Sequence, residues 1–331
     1  MRPRAVRAMK NDIRPLSGDA LLSALCALRA PAVMVHKNPD GDAIGSAVAS
    51  VLYLRERGVD AALLSPDPIP ERLQFLCEGV PLFEGTVHEL ITVDVASPAQ
   101  AGRLSHLLDS CDTVYMIDHH EMSTPFAPHY IRPEASAVGE VLYELFSAKG
   151  EPLTQRIATA LYAAIASDTG CFRFQNVRPE THRAAAALLA CGVPAAELSR
   201  RLFDIRTDGE LSAIGYAIEN SRSYFGGRLS VLTVSRAALA ESGCCEADFD
   251  GVIDTVRSRR GVEVAAVIRE RADGTIRMSL RTTGADAASL CAKFGGGGHR
   301  VAAGCTLPCG SCEEGAVLLL AHADMLFADA E

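Results

Sequence analysis

Apolar runs that end on acids and histidines constrain this chain more than any other feature. Val33-Met34-Val35 leads into His36-Lys37-Asn38-Pro39-Asp40-Gly41-Asp42. Ile91-Thr92-Val93 ends on Asp94, Val114-Tyr115-Met116-Ile117 on Asp118-His119-His120, and a long apolar segment on Asp168-Thr169-Gly170. Between these points short β-rich runs (32–36, 59–64, 90–95, 113–117) alternate with helical periodicity (42–57, 137–148, 153–167, 178–190, 195–203). Such alternation predicts an α/β fold, an open and mostly parallel sheet flanked by helices. Ligands in these sheets bind outside the carboxyl ends of the strands, and the acids and histidines stand at those ends.

Each cluster alone has an ordinary explanation. Asp40-Gly41-Asp42 also fits an acidic helix start with Asp42 as the N-cap. Asp94 could simply terminate a strand, and Asp168 could be a polar helix end, although an acid there opposes the helix dipole. Three titratable groups at the end of a buried strand, as in Asp118-His119-His120, are costly unless they bind something or reach a cleft. Taken together, His36, Asp40, Asp42, Asp94, His119 and Asp168 offer six oxygen and imidazole donors and no sulfur. That set suits two hard divalent cations, and such a pair is a standard means of attacking a phosphate ester.

The pattern changes after residue 204. A connecting helix is expected within 205–224, followed by a smaller C-terminal α/β domain with a mixed sheet over 225–331. Its expected strands are 228–234, 263–269 and 275–281, the last two joined at Ala272-Asp273-Gly274, a hairpin signal. A short helix at 286–294 runs into Gly295-Gly296-Gly297-Gly298-His299. Consecutive glycines can present backbone N–H groups to an anion, or can form a turn. No Lys-Ser/Thr follows, so this is not a nucleotide P-loop.

The His-x-x-x-Asp-x-Asp run, the strand-end Asp, Asp-His-His, Asp-x-Gly and the later Gly-Gly-Gly-His-x-x-Ala-Ala-Gly run resemble the DHH phosphoesterase superfamily with its associated C-terminal domain. The resemblance covers roughly residues 30–190 and 225–306. It implies that His36, Asp40 and Asp94 hold one Mn²⁺, while Asp42, Asp94, His119 and Asp168 hold another, Asp94 bridging. It implies Asp118 as an orienting group and His120 as facing the substrate phosphate. Arg281, Gly295, Gly296, Gly297, Gly298 and His299 would bind phosphate or sugar. Arg173 is a weaker candidate that could reach a phosphate or lie exposed on an alternating strand. The donors also allow Mg²⁺, Co²⁺ or Fe²⁺.

Net charge is −9 and aromatics are 5% with no Trp, so the chain lacks the basic excess and the stacking platforms that hold long nucleic acid. A short RNA or nucleotide substrate is expected instead. The compact two-domain length resembles the branch that trims oligoribonucleotides such as nanoRNA and pApA and removes the 3′-phosphate of pAp. Cyclic di-AMP hydrolysis, pyrophosphate hydrolysis and non-catalytic nucleotide binding are the alternatives.

The basic start Met1-Arg2-Pro3-Arg4 is followed by no apolar signal core, and no apolar run approaches a membrane span. Eleven cysteines read as small apolar residues of a reducing compartment rather than a disulfide frame. Cys309-Gly310-Ser311-Cys312 has metal spacing but offers only two ligands. A cytoplasmic enzyme, with a homodimer as one possible assembly, is the expectation.

Overall fold

The computed structural model describes residues 13–148 and 150–327. The basic start at Met1–Arg4 lies outside the described residues. The chain divides into two compact units, Met1–Ile205 and Arg206–Glu331.

The first unit contains five strands, β1 (Ala32–Met34), β2 (Ala62–Leu64), β3 (Glu89–Val93), β4 (Thr113–Asp118) and β5 (His129–Ile131). Its helices are α1 (Gly18–Cys26), α2 (Gly41–Glu56), α3 (His106–Ser110), α4 (Val138–Ser147), α5 (Gln155–Asp168), α6 (Pro179–Ala190) and α7 (Ala195–Ser199). The strands form one parallel sheet in the order β2-β1-β3-β4-β5. The order reverses at β1, so the crevice between the ends of β1 and β3 is a topological switch point. Strand alternation explains why the sheet is covered on both faces. Val33, Val35, Ile91, Val93, Tyr115 and Ile117 join the large core with α2, α4 and α5. Ala32, Met34, Leu90 and Val114 face a smaller cluster on the other side.

Three glycines set how closely the helices approach. A Cβ on Gly41 would lie 2.3 Å from Ser167 Oγ, one on Gly45 2.5 Å from the Ala160 carbonyl, and one on Gly139 2.5 Å from Ala164 Cβ. Small residues on α5 therefore meet glycines on α2 and α4, and the first turn of α2 is drawn against the last turn of α5. Asp42 and Asp168 stand on those two turns.

The second unit has a six-stranded mixed sheet. Its strands are β6 (Arg222–Tyr224), β7 (Leu229–Val234), β8 (Val264–Glu270), β9 (Ile276–Thr282), β10 (Gly297–His299) and β11 (Ala302–Leu307). Their order is β10-β11-β9-β8-β7-β6, with only β7 and β8 parallel. Its helices are α8 (Asp208–Asn220), α9 (Arg236–Ser242), α10 (Val252–Arg257), α11 (Ala287–Ala292), α12 (Cys312–Ala321) and α13 (Asp324–Phe327). Helix α8, expected as a connector, packs Ala213 and Ala217 into this unit's core beside Leu232 and Val267. The Ala272-Asp273-Gly274 hairpin is present, with Asp273 Oδ1 accepting the Thr275 N–H at 3.0 Å.

The glycine run is only partly a turn. Gly297–His299 pairs antiparallel with Ala302–Gly304 as an edge strand. A Cβ on Gly296 would lie 2.3 Å from the Gly304 carbonyl, and one on Gly298 2.5 Å from that of Ala302. Two of the four glycines are thus required by the neighbouring strand. No disulfide joins any two of the eleven cysteines. Cys312 opens α12 beside the N-cap Ser311, its Sγ directed at the Val234 carbonyl at 3.4 Å, while Cys309 Sγ lies 3.5 Å from the Ser311 carbonyl. No helix among the described residues is long and apolar enough to cross a membrane.

Gly45→Ala is expected to lower stability by about 1–3 kcal/mol, because the added methyl meets backbone rather than a movable side chain. Gly215→Ala on α8, where nothing lies within 4 Å, is expected to raise it by about 0.5–1 kcal/mol. Thermal melts of the two variants check the contrast; equal shifts would contradict the close-packing account.

Candidate metal centre

The residues singled out at strand and helix ends converge in the first unit. Three groups of potential ligands have donor atoms within 4.8 Å of one another: His36, Asp40 and Asp94; Asp42, His119 and Asp168; and Asp94, His119 and His120. Asp94 and His119 each belong to two groups, so the three form one continuous cluster.

Local structure explains each placement. Asp40 is the N-cap of α2, its Oδ1 accepting the Ala43 N–H at 3.0 Å. The alternative that made Asp42 the cap does not hold. Asp42 lies inside the first turn, fully buried, and its two oxygens accept Val138 N–H at 2.7 Å, Gly139 N–H at 3.0 Å and Ser46 Oγ–H at 2.9 Å. The first two donors are at the N-terminus of α4, where partial positive charge favours a carboxylate.

Asp94 follows β3 with φ +60°, its N–H still donating to the Ile117 carbonyl at 3.0 Å. The chain leaves the strand at that residue in a left-handed conformation, a strain of order 1–3 kcal/mol of the kind that gathers at functional sites. Asp168 is the last residue of α5. Beyond it Gly170, Cys171 and Phe172 all have φ between +55° and +63°. Thr169 stabilises that turn, donating its hydroxyl to the Ile165 carbonyl at 2.6 Å and accepting the Phe172 N–H at 3.0 Å.

The imidazoles are oriented by backbone carbonyls. His36 Nδ1 lies 2.8 Å from the Lys37 carbonyl and His119 Nδ1 lies 3.0 Å from that of Ala135. A neutral ring donating from Nδ1 leaves Nε2 as the free donor atom. His36 Nε2 lies 3.5 Å from Asp94 Oδ2 and 3.7 Å from Asp40 Oδ1. His119 Nε2 lies 3.2 Å from Asp168 Oδ2 and 3.8 Å from both Asp42 Oδ2 and Asp94 Oδ1. His120 is held differently, its Nδ1 2.8 Å from Asp118 Oδ1. Ser123, which carried no signal in the sequence, donates to the other oxygen of Asp118 and lies 3.0 Å from the His120 carbonyl.

The electrostatics are those of a site built for cations. Burial drives the Asp42 carboxyl well above its usual range, and Asp94 and Asp168 push the same way. Burial also raises Asp168 against the opposing bond from His119. Burial alone would lower His36, but bonds to Asp40 and Asp94 carry it up to about 11. His119 and His120 are raised over the same opposition by Asp168 and Asp118. Desolvation works against Asp40, yet His36 and the Ala43 N–H bring it down to about 2. Bonds from His120 and Ser123 likewise outweigh burial and lower Asp118. Asp94 Oδ1 is buried without a hydrogen-bond partner, although two imidazoles stand 3.6–3.8 Å away. An orphaned buried carboxylate oxygen among carboxylates and imidazoles fits divalent cations.

The other expected residues are placed as follows. Arg173 lies on the turn after Asp168, not on an alternating strand, with Nε donating to the Gly170 carbonyl at 2.6 Å. The left-handed residues before it break the extended geometry a strand requires. In the second unit Arg281 is the penultimate residue of β9 and lines a cavity of about 210 Å³ with Asp254, Arg269 and Ser279. Burial lowers its guanidinium pKa, Asp254 opposing and Arg257 adding to the effect. Arg281 and His299 are both register partners of Ala302, on opposite sides of β11.

Comparison with known proteins agrees with this geometry. The DHH family, N-terminal domain, matches residues 32–165, and the DHHA1 domain matches residues 230–327. The bifunctional oligoribonuclease and PAP phosphatase NrnA of Thermus thermophilus is 32% identical over 282 residues, 83% of each chain. This chain belongs to the DHH family. Within the family, it is also 29% identical over 297 residues to the cyclic-di-AMP phosphodiesterase PdeA of Listeria monocytogenes, covering 81% of this chain but 43% of that protein. An exopolyphosphatase-related protein from Bacteroides fragilis shares the fold, with a TM-score of 0.85, 21% identity, and coverage of 94% of this chain and 96% of that one. The chain is a metal-dependent hydrolase of the DHH family.

A cation entering the cluster must displace the protons that the acids hold on His36 and His119, because only a neutral imidazole can ligate. His36 is raised to about 11, so its proton is present at neutral pH, and His119 is raised in the same direction. Mn²⁺ affinity is therefore expected to climb from about pH 6 to about pH 8, near tenfold per pH unit for each proton released. Titration calorimetry in buffers of different ionisation enthalpy measures that release, and a pH-independent affinity would contradict it.

Proposed function

We propose that this chain hydrolyses phosphoesters of very short oligoribonucleotides, such as nanoRNA and pApA, and removes the 3′-phosphate of pAp, with two Mn²⁺ ions. The observation that carries the reading is the convergence of a six-donor cluster on a chain that matches the Thermus oligoribonuclease and PAP phosphatase along 83% of both lengths. In this reading His36, Asp40 and Asp94 hold one ion and Asp42, Asp94, His119 and Asp168 hold the other. Asp94, with its unpartnered buried oxygen, is the shared ligand. Bound divalent ions lower the pKa of water toward ~7 and draw charge from phosphoryl oxygens.

The chain's own groups have separable tasks. Asp118 keeps His120 oriented, the contact being 2.8 Å. His120, its pKa raised over the opposition of burial by that pairing, faces the substrate phosphate and offsets its developing charge. In the second unit Arg281, His299 and the Gly295–Gly298 backbone bind phosphate and sugar, and Arg173 adds a charge beside the turn after Asp168. The backbone N–H groups of Gly295 and Gly296 already bond to the carbonyls of Ala292 and Cys291 at 3.0 and 2.9 Å. That leaves His299 and Arg281 as the side chains that distinguish substrates.

The similarity to the Listeria enzyme favours one second reading, hydrolysis of cyclic di-AMP. A panel of pAp, pApA, cyclic di-AMP, pyrophosphate, a short RNA ladder and long single-stranded DNA, each with Mn²⁺, separates them by kcat/KM. Highest values on pAp and the shortest RNAs are expected. Turnover of pyrophosphate without pAp or pApA overturns the reading, and preference for cyclic di-AMP supports the second.

Asp94→Ala is expected to reduce turnover by more than the roughly 100-fold that loss of an outer-shell partner costs. A purely nucleotide-binding protein would instead keep its ligand affinity and have no turnover to lose.

A further inference from the structure

Glu140 is a buried acid in the first turn of α4, only 1% exposed, and none of the donor groups above includes it. Its carboxylate is fully engaged. Oε2 accepts Ser136 N–H at 3.1 Å, Ser136 Oγ–H at 2.6 Å and Thr181 Oγ1–H at 2.8 Å, and Oε1 accepts Arg178 Nη2–H at 2.6 Å. A buried carboxylate carries a desolvation cost of several kcal/mol unless such partners offset it. Four bonds converging on the 136–140 turn and on α6 make this segment rigid.

What the segment holds is specific. The Ala135 carbonyl, one residue before Ser136, is the group that orients His119 through Nδ1 at 3.0 Å. The Ser136 carbonyl accepts a bond at 3.1 Å from Asn176 Nδ2, which also donates at 3.1 Å to the Asp168 carbonyl. Val138 and Gly139 supply the N–H groups that hold Asp42. His119, Asp168 and Asp42 are thus all anchored on 135–139. They are also one of the three convergent donor groups. The group His36, Asp40 and Asp94 hangs on other anchors, the Lys37 carbonyl, the Ala43 N–H and the Ile117 carbonyl.

We infer that Glu140 is a positioning residue for one of the two metal sites alone, acting through the 135–139 turn on Asp42, His119 and Asp168. This rests on the two-ion reading above, and the experiment keeps the two apart. Metal-free protein is titrated with Mn²⁺ by calorimetry and by the electron paramagnetic resonance signal of free Mn²⁺. The wild-type chain, Glu140→Gln, Asn176→Ala and, as a control, Glu144→Gln are compared. Glu144 is on the same helix but pairs at the surface with Arg132 at 3.1 Å.

Two ions per wild-type chain are expected; one or none would sink the two-ion reading itself. Given two, Glu140→Gln is expected to weaken one ion by about 10–100-fold and leave the other within about threefold. Asn176→Ala should weaken the same ion by less, and Glu144→Gln neither. Equal weakening of both ions, or of none, by Glu140→Gln overturns the inference while leaving the two-ion reading intact. Should Glu140→Gln fail to fold by circular dichroism, Asn176→Ala decides alone: weakening of one ion sustains the inference, and any other result removes it.

Discussion

Bringing four aspartates into one partly buried space is the constraint around which the first unit is organised. Burial disfavours the ionisation of Asp42 and Asp168, Asp94 and Asp168 add to that at Asp42, and Asp40 and Asp94 add to it at Asp168. Charges so placed persist only where something opposite in sign is held beside them. The protein supplies part of that compensation itself. The N-terminus of α4 points two N–H groups at Asp42, and His36 and His119 stand between pairs of carboxylates. Asp94 Oδ1 is the atom for which the protein provides no hydrogen bond. An orphaned buried oxygen among carboxylates and imidazoles is what a site able to hold a divalent cation would leave.

That arrangement depends on backbone proximity more than on side-chain reach. Aspartate is short, so its carboxylate can meet another only if the helices that carry the two are nearly in contact. Gly41, Gly45 and Gly139 against Ser167, Ala160 and Ala164 provide that approach. The parallel sheet places the other contributors, because β1, β3 and β4 run the same way and end at the same edge. Left-handed residues at Asp94 and after Asp168 then turn the chain sharply where the strand or helix must stop.

Much of this was readable in the sequence, and the reasons are specific. The strand-end residues could be found because a titratable group after an apolar run is costly and therefore conspicuous. Parallel topology followed from strands alternating with helices, and the convergence of the ends followed from topology. Shorter elements escaped notice: β5, β6 and β10 are three-residue edge strands, too brief to show alternation. The cap position was misplaced by two residues because Asp40 and Asp42 have equal capping propensity, and only the tertiary contact with α4 distinguishes them. Glu140 went unread for a related reason. An acid in a helix is ordinary, and its significance appears only when Ser136, Arg178 and Thr181, up to 41 residues away in sequence, are seen to meet it.

The glycine run in the second unit shows how a motif can carry two demands at once. Gly296 and Gly298 must lack side chains because β11 passes within 2.5 Å of where a Cβ would stand. Gly295 and Gly297 have open space there, so packing does not require them to be glycine. Gly295 has φ +71°, a conformation that a side chain would strain, whereas Gly297 has neither constraint. A residue with no local reason to be glycine, two positions before His299 on an exposed edge strand, is where a ligand's approach would be the remaining reason for the missing side chain. Strand register sets His299 on β10 and Arg281 on β9 on either side of Ala302, so bare backbone, an imidazole and a guanidinium are grouped there by register alone. Packing thus requires only some glycines of the run, which reads as a flexible turn in sequence and is a paired edge strand in three dimensions.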